Sequence, residues 1–191
     1  MSADTRTRMV EATVTALQQR GVAGMSFTEI LQNSGAARGA IYHHFPGGKA
    51  QLVAEAATRN GHDVRSHLAG LPADSPQAVV QAFLDTVRPV LQASTTGGGC
   101  AVAAVTVSAG ADPDNEALRQ VAAAAFASWI DQLAERLSTA GLTPDDAADL
   151  ATTLITLLEG AHILCRATGT LDPFDQITRT ALDLTRLRHP Q

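Results

Sequence analysis

Only seven of the 191 residues are aromatic: five Phe, one Tyr and one Trp. β-Strands draw on aromatic and β-branched side chains, so a chain this poor in rings, with alanine and leucine recurring throughout, is expected to be helical. Cysteine is scarcer still. Cys100 and Cys165 have neither metal-ligand spacing nor a disulfide framework around them. No apolar run reaches the ~18 residues that span a bilayer, and the opening MSADTRTRMVEAT lacks the apolar stretch of a signal peptide. A cytoplasmic protein with no membrane partner is expected. Charged residues make up only 17% and hydrophobic ones 45%, enough for a sizeable core and unlike a disordered chain.

The net charge of −5 is unevenly spread. Residues 1–50 hold Arg6, Arg8, Arg20, Arg38 and Lys49 against Asp4, Glu11 and Glu29, leaving 9 basic and 16 acidic residues for the rest. A locally basic end on an acidic body fits a small nucleic-acid-binding module on a body that repels DNA. The punctuation divides the chain into about nine helices. In the first, from Thr5 to Arg20, Val10, Val14 and Leu17 recur at helical spacing and Gly21 supplies a stop. "MSFTEI" then carries a capping box, Ser26 with Glu29, and a hydrophobic staple, Met25 with Ile30. That second helix ends near Asn33 before Gly35, and a third short one runs from about Ala37 to His44. Two brief helices joined by a glycine turn make a helix-turn-helix. Phe27, Ile30, Leu31, Ile41 and Phe45 are expected to pack on Val10, Val14 and Leu17. After Pro46-Gly47-Gly48, helices are expected at about 49–68, 76–94, 100–109, 114–139, 144–167 and 173–188. Thr143-Pro144 and Asp172-Pro173 mark two of the starts, Gly141 and Gly169 two of the stops. The expected architecture is all-α: a domain over 1–48, a connecting helix 49–68, and a second domain over 69–191.

The stretch ARGAIYHHFPGGKAQL, residues 37–52, invites two chemical readings, metal and phosphate. Neighbouring His43 and His44 point about 100° apart on a helix, whereas metal-binding helices place ligands at spacings such as i and i+4. No metal is expected. FPGGKAQL also lacks G-x-x-x-x-G-K-[ST], and no strand precedes it. What survives is Lys49 in the first turn of a helix, where the dipole and open N–H groups favour an anion.

Residues 26–56, SFTEILQNSGAARGAIYHHFPGGKAQLVAEA, resemble the DNA-binding segment of the TetR family of transcriptional regulators. Thr28, Gly35, Tyr42, His44, Phe45 and Lys49 fit the family pattern; the extra glycine between Phe45 and Lys49 resembles the LmrA/YxaF-type branch. Ala37 departs from it, standing where many relatives place a Ser or Thr cap, an absence worth about 1 kcal/mol of helix stability. The resemblance implies a recognition helix entering the major groove N-terminal end first. Arg38 would then reach a guanine edge or a phosphate, and Gly39 and Ala40 would let the backbone approach the bases. Tyr42 and His43 would meet a phosphate or a thymine methyl; Thr28, His44 and Lys49 would fix register on phosphates. Tyr42 and His44 have an alternative use in the three-helix core, Thr28 as a first-turn helix residue, and Arg38 and Lys49 as solvated charges.

The resemblance also implies a homodimer joined by the last two helices. Phe174, Ile177, Ala181 and Leu184 form one apolar stripe and Leu154, Leu158, Ala161 and Cys165 another, with Gly160 allowing close helix approach; either stripe suits that interface or an internal core. A ligand pocket is implied within 76–167, with Phe83, Val87, Val105, Phe126, Trp129 and Leu133 as walls. Glu159, His162 and Arg166 share one helix face and need partners, each other or a ligand. Cys100 opens a helix, a position that lowers a thiol pKa and suits a redox sensor, or is a small buried hydrophobe. The expectation is a dimeric repressor of double-stranded operator DNA, released by a small-molecule effector, with no cofactor and no catalytic residues. Its rivals are an all-helical small-molecule enzyme, for which His62, His67 and His162 have no evident partners, and a DNA-binding regulator without ligand response.

Overall fold

The computed structural model describes residues 4–109 and 116–188. Among them there are nine helices and no strand, as the scarcity of aromatics foretold: α1 (Thr5–Gly24), α2 (Phe27–Ser34), α3 (Ala40–His44), α4 (Gly48–Ala69), α5 (Pro76–Ser94), α6 (Ala101–Ala109), α7 (Glu116–Thr139), α8 (Pro144–Thr168) and α9 (Asp172–Arg188). Positions 114 and 115, expected to open the seventh helix, lie outside the described residues. The chain divides into two compact units, one of residues 1–62 and 100–125, the other of 63–99 and 126–191.

In the first unit α1 packs on α2 and α6. Its core holds Val10, Leu17, Ile30, Ile41 and Phe45, with Val14, Phe27 and Leu31 partly buried against it. Met9, Leu52, Val53 and Ala56 belong to the same core, and α6 adds Ala101 and Val105. Met25 and Ile30, the staple pair, are buried there together. Ser26 caps α2 by accepting from the Glu29 N–H at 3.2 Å. Glu29 does not complete the box; its carboxylate pairs with Arg20 of α1 at 3.0 Å. Gly21 breaks α1 at φ 66°, and the chain resumes helical form to Gly24. Gly61 serves close approach: a Cβ there would stand 3.0 Å from that of Ala125.

In the second unit α5, α8 and α9 pack against one another. Ser75 caps α5 and Thr143 caps α8, each accepting from the N–H three residues on. Gly169 ends α8 in the left-handed conformation. By length and composition α8 would suffice to cross a membrane, but Leu150, Leu154, Ala161 and Cys165 are buried in the fold, as in a core helix. The seam between these three helices is lined by Phe83, Leu84 and Val87 from α5, Leu154, Leu157 and Leu158 from α8, and Phe174 and Ile177 from α9.

Candidate nucleic-acid interface

A five-residue helix is far too short to persist alone, so α3 depends on its surroundings. Ile41 is 1% exposed and Phe45 0%, which pins one face of α3 to the core. The other face is open. Arg38, Gly39, Tyr42 and His43 are exposed, and Ala40 is half-buried. Tyr42 is 67% exposed and leans edge-on against Phe27, ring centroids 6.1 Å apart, so it covers the core's rim without filling it. His43 and His44 touch edge to face at 5.0 Å, and His44 is half-buried. α3 begins at Ala40, three residues later than expected, because Ala37 has no side-chain oxygen to cap it. In place of a first helical turn, the Ala40 N–H donates to the Ala37 carbonyl at 2.9 Å.

The supports on either side are well made. Gly35 ends α2 at φ 65° and donates to the Gln32 carbonyl; a residue with a side chain is strained in that conformation. Thr28 stands exposed in the first turn of α2. Lys49, half-buried in the first turn of α4, donates from Nζ to the Met25 carbonyl at 3.1 Å. An ammonium has three donors, so this bond ties α4 to the start of α2 and leaves two for an anion. The arrangement presents one tyrosine and two histidines from a short helix seated on the core, with an arginine in the turn before it and a threonine and a lysine on the flanking elements.

The residues expected around a ligand are distributed differently. Val105 lies in the core of the first unit. Phe83 and Val87 line the α5–α8–α9 seam with Leu154, Leu158, Phe174 and Ile177, so side chains assigned separately to a pocket and to a dimer interface share one apolar layer. Leu154, Ala161, Phe174 and Ala181 are 0–2% exposed within the single chain. Leu158, Gly160 and Ile177 are half-buried, and Leu184 is 37% exposed. Phe126 meets Trp129 edge-on at 5.1 Å, and Trp129 and Leu133 are buried.

His162 has a partner that the sequence did not reveal: its Nδ1 lies 2.7 Å from Ser94 Oγ, and both residues are buried. Burial, with the nearby Arg166 guanidinium, lowers its pKa to about 4, so the imidazole is neutral at pH 7. Arg166 donates to the Gly97 carbonyl in the loop after α5, and Glu159 is half-buried one turn before His162. Ser94 is 0% exposed, so the pair lies inside the second unit. His67 Nδ1 is 2.7 Å from the Asp63 carbonyl. Cys100 caps α6, its sulfur accepting from the Ala103 N–H at 3.4 Å.

Comparison with known proteins identifies both parts of the chain. Residues 9–56 match the family described as bacterial regulatory proteins, tetR family, and residues 76–180 match the transcriptional regulator LmrA/YxaF-like C-terminal domain. An uncharacterised HTH-type transcriptional regulator of Mycobacterium tuberculosis (strain H37Rv) is 35% identical over 189 residues, 97% of this chain and 96% of its own length. The HTH-type transcriptional regulator LmrA of Bacillus subtilis is 26% identical over 185 residues, covering 96% of this chain and 97% of its own. In fold, a TetR-family regulator from Cytophaga hutchinsonii superposes with a TM-score of 0.80 at 24% identity over 100% of both chains. Another from Legionella pneumophila gives 0.81 at 22% identity over 96% of this chain and 98% of that one. The chain belongs to the TetR family of DNA-binding transcriptional regulators, with a C-terminal domain of the LmrA/YxaF-like type.

Proposed function

We propose that this regulator acts in the cytoplasm as a homodimeric repressor whose α3 reads a palindromic operator and whose second unit responds to a small apolar effector. The observation that carries the reading is the outward face of α3. Tyr42 and His43 are exposed on a helix whose opposite face is fixed in the core, and Arg38 is exposed in the turn that leads into it. Arg38 has the reach and donor geometry for a guanine edge; Thr28, His44 and Lys49 suit phosphates. Dimerisation is supported by apolar surface remaining on α8, where Ile163 is 68% and Leu164 50% exposed, next to Gly160, whose added Cβ would meet nothing within 4 Å. For an effector, the α5–α8–α9 seam leaves about 10 Å³ for the centre of a water molecule, no more than one water. A ligand seated there must open the seam, and binding the opened form preferentially is what shifts such an equilibrium.

Selection of bound duplexes from a random pool tests the reading. A dimer should enrich a two-fold symmetric site, and a metabolite mixture should contain a component that releases it. Arg38→Ala should change which bases are enriched without disturbing the fold. Enrichment of no duplex, or an unchanged preference in Arg38→Ala, contradicts these roles. Retention of DNA under every metabolite favours a regulator without an effector.

A further inference from the structure

The turn after α3 closes a ring of contacts that none of the assigned DNA-contacting residues explains. The Gly47 N–H donates to Gln51 Oε1 at 2.8 Å. Gln51 Nε2 donates to Glu55 Oε1 at 3.0 Å. The other oxygen of Glu55 pairs with the Arg6 guanidinium at 2.5 Å. Arg6 in turn stands over the ring of Phe45, 5.1 Å from its centroid, and Phe45 is the residue that ends α3. The circuit thus runs from the end of α3 through the turn, along one face of α4, across to α1 and back. Gly47 belongs to it sterically as well, since a Cβ there would come within 3.1 Å of Gln51 Cβ and Oε1.

These contacts are partly solvated, the Arg6 and Glu55 side chains being 46% and 27% exposed. Exposed pairs add little to folding stability, so stability does not account for four of them in sequence. Geometry does. α3 has no side-chain cap at its start and only five residues, so its tilt depends on how its far end is held. Ile41 and Phe45 hold it to the core, and the ring fixes the turn that leaves it.

We propose that Arg6, Gln51 and Glu55 are positioning residues for operator recognition, setting the tilt of α3 through the Gly47 turn and thereby the discrimination between bases. The proposal rests on α3 being the reading helix. The test uses a duplex selected by the wild-type full chain, together with point variants of that duplex at the positions Arg38 prefers. Kd for each is measured with wild type, Gln51→Ala, Glu55→Gln and Arg6→Ala, alongside thermal unfolding. The ratio between selected and altered duplexes should fall about threefold to tenfold in each variant, on the scale of one lost hydrogen bond, while Tm stays nearly unchanged. Because the contacts close a ring, Arg6→Ala combined with Gln51→Ala should lose little more than either alone. An unchanged ratio, or equal weakening on every duplex with a fall in Tm, overturns the proposal. If the wild-type chain enriches no duplex, the reading of α3 itself has failed, and that result is separate from wild type binding with variants that discriminate equally well.

Discussion

His162 sets up an acid-dependent weakness in the second unit. In the unfolded chain its imidazole takes up a proton near the ordinary value of 6.5, whereas in the fold, buried against Ser94 and close to Arg166, it does so only near 4. Between those values the unfolded chain binds the extra proton, so stability rises with pH across this window and is lost as pH falls through it. The ceiling is about 3 kcal/mol, from ~1.4 kcal/mol for each unit of pKa. Denaturant unfolding from pH 7 to pH 4 should show this decline, and His162→Gln, which cannot take the proton, should flatten it. If both proteins lose stability in parallel, the histidine is not the titrating group. The sequence disclosed half of this site. Glu159, His162 and Arg166 stand on one face by their spacing, but Ser94 lies 68 residues before His162 and no local pattern links them.

Local signals explain which elements were legible. α2 is framed by a serine cap, a staple and a left-handed glycine, all within a few residues of its ends, and its boundaries follow from them. Ser26→Ala should therefore cost about 1 kcal/mol, and Gly35→Ala about 1–2 kcal/mol, since a side chain disfavours φ 65°. Urea unfolding measures both; a Gly35→Ala protein as stable as wild type would mean that α2 can end another way. α3 was located correctly, but its first turn was overestimated, because an alanine at position 37 and a glycine at 39 give the helix no reason to start before Ala40. The capping box was half right for a related reason. Glu29 satisfies the pattern with Ser26, yet Arg20 arrives from α1 with a full charge and takes the carboxylate. Pro89 sits within α5, and the apolar periodicity continues across it.

For the whole molecule, the distinction that sequence alone left open is between surface that folds the chain and surface that joins two chains. Helical periodicity marks a stripe as apolar without saying what covers it. On α8 buried and exposed apolar faces occur side by side. Leu154 and Ala161 are buried within one chain, whereas Thr156, Ile163, Leu164 and Ala167 recur at helical spacing on an exposed face around Gly160. A monomeric protein has little use for two neighbouring large aliphatic side chains in water, and small residues beside them suit the close approach of another helix. If that face pairs two copies, Leu164→Glu should leave the fold of each chain intact, because the side chain is already half in solvent, yet convert dimers to monomers. Sedimentation velocity at micromolar concentration reads this directly, with helicity by circular dichroism as the control. The same substitution at Leu154, 1% exposed, should unfold the second unit instead. Operator affinity then follows from the assembly. If each chain engages one half-site, the Leu164→Glu protein should bind the selected duplex far more weakly, and its affinity should fall less steeply with salt, since roughly half as many phosphates are neutralised per bound species. A Leu164→Glu protein that remains dimeric would move the interface off this face of α8.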